Sequence, residues 1–327
     1  MAKILVLGAT GFIGGHIAKK ALEAGWEVHG FRRRPQSQGQ LAGHPIHWHH
    51  GTLENYNSLS QAMAGMDAVF HAAASYPSDG NPDHVEDHVR GGVTQMSNVI
   101  RGVQEAGVNR LVYTSSLTTI GTPPTGEDRL ADEGDFYQQG SLPDNGYHEV
   151  KSAMENMALE AAGKGTRIII LNPSLVLGPG DIHLSTGEIV VAIAKGFAFA
   201  VPEGIINIID VRDTAAAHIK AAELGRSGER YILGGKNYPV REAAETIAAT
   251  AGARPPRFTL PNWVIDLYIK IADSLPFIPF PPDHLRAYQT WQGYNTEKAR
   301  QELGLDPRPL EETARDSIKW FKEQGKL

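Results

Sequence analysis

The chain has 327 residues, 41% of them hydrophobic, enough to bury the core of one large or two modest domains. Its formal net charge of −6 gives no general electrostatic reason to hold nucleic acid or an anionic membrane, and the lack of cysteine excludes disulfides, thiolate metal sites and thiol catalysis. No apolar run approaches a membrane span, and the short apolar stretch after Lys3 runs straight into glycines rather than a signal-peptide cleavage site, so a cytoplasmic protein is expected.

Residues 4–7 (ILVL) form a continuous apolar block, the pattern of a parallel strand buried on both faces. Gly8, Gly11 and Gly14 follow at intervals of three. In a strand-turn-helix context these glycines divide the work. Gly8 permits the sharp exit, Gly11 lets the backbone approach a pyrophosphate, and Gly14 lets the helix pack close to the sheet. Phosphate then sits on free N–H groups at the positive end of the helix, with Thr10, Phe12 and Ile13 among the cofactor contacts.

A helix over 12–25 leads to a second strand over 27–31, whose end carries Arg32, Arg33 and Arg34. A carboxylate there would select NAD by bonding the adenosine ribose, whereas arginine suits the 2′-phosphate of NADP. No carboxylate lies between Val28 and Pro35, so NADP (NADPH) is favoured over NAD, with Arg33 and Arg34 as contacts and a solvated basic loop as the alternative. Strands follow over 46–49 and 67–71, the latter running into Ala72, Ala73 and Ala74. These alanines either line the cofactor or pack tightly in the core. His44, His47, His49 and His50 gather near the third strand, and His84 and His88 would share a helical face. Neither group has the carboxylate arrangement of a metalloprotease helix, so surface or packing roles, and no metal, are expected.

A helix over 85–106 and a strand over 110–115 deliver Thr114, Ser115 and Ser116 to the carboxyl edge of the sheet, where ligands of open parallel sheets sit. The polar loop 121–145 is long enough to suggest a function and ends at Tyr147. Tyr147 and Lys151 are four apart at a helix start and project from one face. A phenol with a reference pKa near 10 serves as acid/base near pH 7 if its phenolate is favoured by about 3 units, or roughly 4 kcal/mol. One ammonium at about 4 Å with an effective dielectric near 20 supplies about that much. A tyrosine and lysine at this spacing also occur by chance on many helices.

GATGFIG, HAAA, YTSSLTTIG, YHEVK, NPSLVLGPGD and DVRDTAAAH occur in an order that resembles the extended short-chain dehydrogenase/reductase family, within the NAD-dependent epimerase/dehydratase superfamily, over nearly the whole chain. The chain is most similar to the dihydroflavonol 4-reductase-like branch, which includes proteins labelled hopanoid-associated sugar epimerases. The resemblance implies an α/β fold: a Rossmann-type doubly wound parallel sheet with a smaller C-terminal substrate lobe. It implies a catalytic Ser116, Tyr147 as acid/base and Lys151 as the group that lowers the tyrosine's pKa and holds the nicotinamide ribose, with Ser115 a neighbour. It implies backbone contacts to the nicotinamide carboxamide from the loop holding Pro173, Ser174 and Val176. It also implies a homodimer, paired through the helices over 85–106 and 147–162. Two departures stand out. Thr52-Leu53 replaces the Asp-Leu that contacts adenine, and Gly92, Val93, Thr94, Gln95 and Met96 replace the NVxGT segment of the dimer-forming helix.

Later elements are a strand over 167–171, a strand over 205–211, a helix over 213–224, a last sheet strand over 229–233, and helices over 240–251, 295–303 and 310–324. The division expected is a cofactor domain over 1–171, its sheet completed by about 205–233, with 172–204 and 234–327 forming the substrate lobe and closing helices. A helix over 262–274 carries Trp263, Leu267 and Ile271, with Val264 and Tyr268, as an apolar stripe that packs on the cofactor domain or, with the tail 275–282, walls an apolar ligand or touches a membrane surface. Three functions compete: an NADP(H)-dependent reductase of an apolar ketone or aldehyde, a nucleotide-sugar epimerase or dehydratase with tightly held cofactor, and a non-catalytic NADP-binding regulator. Gly204-Ile205-Ile206 stands where sugar-nucleotide enzymes carry an Arg-Asp pair, and the intact Ser116, Tyr147 and Lys151 argue against the regulator.

Overall fold

The protein is described by a computed structural model, which covers residues 2–73, 84–142, 145–274 and 292–327. Strand β1 (Lys3–Leu7) is fully buried from Ile4 onward, and its apolar run is explained by its place inside the sheet with a strand on either side. Its neighbours are β2 (Glu27–Arg32) and β4 (Ala68–His71). The sheet continues on one side through β5 (Arg110–Thr114) and β6 (Ile168–Pro173) to β10 (Arg230–Leu233), and on the other to β3 (His47–His50). All six pairings are parallel. The chain winds outward from β1 in one direction and from β4 in the other, so the crevice at their carboxyl ends is the switch point where such sheets take ligands.

Both faces are covered. On one, Ile4, Val6, Phe70 and Leu171 pack with helices α1 (Phe12–Glu23) and α6 (Val211–Leu224). On the other, Leu5, Leu7, Val69 and Tyr113 pack with α2 (Tyr56–Met63), α3 (Val85–Glu105) and α4 (Gly146–Gly163). Helices α3 and α4 lie close, because a Cβ on Gly92 would stand 2.8 Å from Val150 Cγ1. Gln95 and Met96 are buried, so these unusual residues face inward.

A second assembly carries its own core. Strands β7 (Leu175–Leu177), β9 (Ile205–Asp210) and β11 (Lys236–Pro239) form a three-stranded sheet, and β8 (Ala200–Pro202) pairs with β12 (Phe258–Leu260). Helices α5 (Gly187–Ala194) and α7 (Val240–Ala251) close around Ile206, Ile208, Tyr238 and Ile247, joined by Phe321 from the last helix. The strand expected over 205–211 therefore does not complete the main sheet, and of the span 205–233 only Arg230–Leu233 does. The reason is that IINII is apolar on both faces: Ile206 and Ile208 serve the lobe core while Ile209 serves the main one, so periodicity cannot assign its sheet. Helix α6 begins at Val211, two residues earlier than expected, because the Asp210 carboxylate caps it by accepting from Arg212 N at 2.7 Å.

Helix α8 (Asn262–Ser274) spans the expected residues, but its buried stripe is Ile265 and Ile269. Trp263, Leu267 and Ile271 are 68%, 50% and 44% exposed, so they do not pack on the cofactor domain. The tail 275–282 lies outside the described residues. The remaining helices are α9 (Glu297–Leu303) and α10 (Leu310–Glu323). Among the described residues no helix is long and apolar enough to cross a membrane.

Candidate active site

The glycine turn sits at the switch point. Gly8 adopts φ +87°, and the turn closes with Gly11 N donating to Gly8 O at 2.9 Å. A Cβ on Gly14 would lie 2.2 Å from Gly8 O, so the first turn of α1 rests directly on the loop before it. Gly11 caps α1 with no side-chain hydrogen bond, which leaves first-turn amides around Thr10, Phe12 and Ile13 open to phosphate. Ala72 and Ala73 back the turn: Ala72 N donates to Leu7 O at 3.0 Å, and Ala73 N would be 2.8 Å from a Cβ on Gly8. Tight packing of Ala72 and Ala73 is thus packing against the glycine turn. Ala74 lies outside the described residues.

The three arginines after β2 separate. Arg32 lies over the Trp48 ring at 4.5 Å and donates to Ser37 O, a structural role. Arg33 and Arg34 are exposed at the carboxyl end of β2; Arg33 O and Arg34 O accept from His50 Nε2 and Ser37 N, and, against burial, the Arg33 charge helps hold the Glu54 carboxyl below its usual range. Leu53 is buried in the core with Phe31 and Leu59, and Thr52 is half-buried beside it.

The catalytic candidates converge from β5 and α4. Ser116 follows β5, is buried, and its Oγ accepts from Thr118 N at 3.2 Å. Tyr147 occupies the first turn of α4, which Asn145 caps by accepting from His148 N. Lys151, one turn on, is buried, and its ammonium donates to Thr114 O at 3.1 Å, two residues before Ser116. Burial lowers the Lys151 pKa to about 8, against the raising influence of Glu155. Burial likewise brings His71, at the carboxyl end of β4, down to about 3, with the charge of Lys151 acting the same way. His71 is thus a neutral ring beside Tyr113, at 5.4 Å between centroids.

Sequence reading missed the buried framework under Ser116. Asn172 Nδ2 donates to Ser116 O at 3.2 Å and to Glu155 Oε2 at 2.7 Å. Thr119 Oγ1 lies 2.8 Å from each of the same two oxygens. Glu155 pairs with Arg230 at 2.9 Å, and Arg230 also donates to Thr119 O, Glu133 O and Asp135 O, which ties the middle of the loop that follows Ser116 back to its start. Glu155 lies one turn beyond Lys151, the one available signal, but Arg230 and Asn172 come from other strands. His16 was also missed. Its Nε2 is 2.8 Å from Pro179 O and joins α1 to the NPSLVLGPGD loop, and its pKa is lowered to about 4 by burial.

Pro173 ends β6, Val176 is core, Ser174 N donates to Leu233 O, and the buried Ser174 Oγ has no hydrogen-bond partner among the described residues. Thr118 Oγ1, Ser115 Oγ and both His148 ring nitrogens also lack a hydrogen bond of good geometry. Orphaned buried polar atoms are uncommon. Their concentration beside Ser116 and Tyr147, at the same sheet edge as the uncapped α1 terminus, fits a polar ligand that runs from the glycine turn to Ser116.

The sequence pattern of the NAD dependent epimerase/dehydratase family matches residues 4–234. A protein of Synechocystis sp., named provisionally as a dihydroflavonol 4-reductase, is 33% identical over 98% of this chain and 94% of its own. The crystal structure of gox2253 superposes with a TM-score of 0.86 at 30% identity over the whole of both chains. A nucleoside-diphosphate-sugar epimerase from Pseudomonas aeruginosa superposes with a TM-score of 0.85 at 26% identity, over 100% of this chain and 99% of that one.

Proposed function

This chain belongs to the NAD-dependent epimerase/dehydratase family, and from that premise we propose that it is an NADP(H)-dependent oxidoreductase acting on an apolar ketone or aldehyde, or the corresponding alcohol. The observation that carries the reading is the tie between Lys151 and Thr114 O, which sets the Tyr147 helix against the strand end bearing Ser116. Bound nicotinamide would supply or accept the hydride. Ser116 holds the substrate oxygen by hydrogen bonding, and Tyr147 gives that oxygen its proton in the reducing direction. Lys151 supplies positive charge in a dry site, where it acts strongly on the phenol one turn away. Residues 1–171 with β10 hold the cofactor through Gly8, Gly11, Gly14, Ala72 and Ala73, the Ser174 loop of the lobe adds backbone contacts to it, and the rest of the lobe covers the substrate. Against a nucleotide-sugar substrate stands the half-exposed Ile205 where a diphosphate-binding arginine is expected. Assaying NADPH oxidation against a panel of aldehydes, ketones and nucleotide sugars tests the function directly: turnover of nucleotide sugars alone would overturn it.

Cofactor choice rests on Arg33 and Arg34. Replacing both with alanine is expected to weaken NADPH binding about 10- to 100-fold, the loss of one or two charge-assisted hydrogen bonds, and to leave NADH binding unchanged. Titration of both cofactors by fluorescence checks this, and equal losses would refute the assignment.

Trp263 and Leu267 are proposed to wall the apolar substrate. The pair Trp263→Ser and Leu267→Ser is expected to raise KM for apolar carbonyls about tenfold while stability changes by no more than about 0.5 kcal/mol, as for exposed positions. A lowered melting temperature at unchanged KM would instead make the stripe structural. The homodimer is proposed to pair through the outer faces of α3 and α4. Light scattering should then give twice the 35.5 kDa chain mass at micromolar concentration, and a monomer would count against it.

A further inference from the structure

We propose that Glu27, His29 and His47, backed by His49, form a binding site for one divalent transition-metal ion of the zinc class at the outer edge of the sheet, at the opposite ends of the strands from the glycine turn. The site arises from sheet geometry. Side chains two apart on a strand share a face, so Glu27 and His29 of β2 point the same way, as do His47 and His49 of β3. The register pairs His29 with His47 and Phe31 with His49, which brings both sets together on one face. One ligand atom each from Glu27, His29 and His47 already lie within 4.8 Å of one another. A four-coordinate ion with bonds of about 2.0–2.1 Å needs its ligand atoms roughly 3.4 Å apart, so small side-chain rotations close the site.

His29 is the organising group. Its Nε2 is 2.9 Å from Glu27 Oε1 and its Nδ1 is 2.7 Å from His49 Nε2. With a cation in place of the proton between Nε2 and the carboxylate, Nδ1–H donates to His49, the outer hydrogen bond that fixes the tautomer and orientation of a metal-bound imidazole. The ring is also clamped: His47 and His49 stack on it with centroids 4.8 and 5.0 Å away. His29 is buried while His47 is exposed at the edge strand, so an ion would enter from solvent and keep water in its open position. Imidazole and carboxylate without sulfur suit zinc, cobalt, nickel or copper(II) over magnesium or calcium. The competing cation is Lys3, whose ammonium lies 3.4 Å from Glu27 Oε1 and must swing aside. Chain spacing conceals the set, because Glu27 and His29 are far in sequence from the 44–50 histidines.

The test is isothermal titration of the untagged full-length protein with ZnCl2, repeated with CoCl2 under visible absorption. The expected result is one zinc per chain with micromolar or tighter affinity, and the visible absorption of tetrahedral cobalt. His47→Ala and His29→Ala should each weaken zinc at least tenfold, and His44→Ala should leave it unchanged. Because His47 is exposed, that variant keeps the fold even if His29→Ala does not. Binding weaker than about 100 μM, or binding that survives His47→Ala as adventitious coordination by other histidines, would overturn the proposal.

Discussion

Tyr147→Phe is expected to lower turnover by about two to four orders of magnitude, the usual contribution of a positioned proton donor, with NADPH affinity nearly intact. The substitution removes one hydroxyl and keeps the ring, and the α4 start is fixed independently by Asn145, so the loss reads out proton transfer rather than folding. Lys151→Ala should damage both turnover and cofactor binding, since the ammonium is assigned to both. The lysine also sets an alkaline limit. Burial lowers its pKa from 10.5 to about 8, so the ammonium is present at neutral pH and lost as pH rises through about 8, and kcat/KM should fall there. The sign for stability is the reverse. The unfolded chain holds more protons between about 8 and 10.5, so the cost of burying this charge is full below about pH 8 and fades as pH rises. Steady-state kinetics across pH 6–10 check both statements, and a Tyr147→Phe protein with normal turnover would sink the mechanism.

Glu155→Ala should be among the most destabilising single changes in the chain, by about 3–5 kcal/mol. It strands the buried Arg230 guanidinium, whose pKa burial already lowers and Glu155 raises, and removes the acceptor shared by Asn172 and Thr119. Glu155→Gln keeps an acceptor for Asn172 and should cost less. Because Asn172 and Thr119 also hold Ser116 O, the glutamine variant should show reduced kcat at an NADPH affinity close to that of the parent. Chemical denaturation separates the effects. Equal midpoints for parent and Glu155→Ala would show that the ion pair does not contribute to stability.

The chain by itself determined most strands of the main sheet, the glycine turn and the placing of Tyr147 one helical turn before Lys151. Each is encoded locally: ILVL reads as a two-sided buried strand, Gly8 meets the positive φ that only glycine adopts freely, and a four-residue step on a helix fixes two side chains on one face. The run of arginines after β2 was legible as a whole, but only packing on Trp48 divided Arg32 from Arg33 and Arg34. What tertiary structure alone decided is pairing between strands distant in sequence. IINII could have joined either sheet, because both its faces are apolar and its partners are chosen by shape elsewhere. The Glu155–Arg230 pair, the Asn172 bonds to Ser116 and the Glu27, His29 and His47 cluster each join residues whose spacing carries no period. Their energies come from burial and from cross-strand register, quantities that exist only once the sheet has formed.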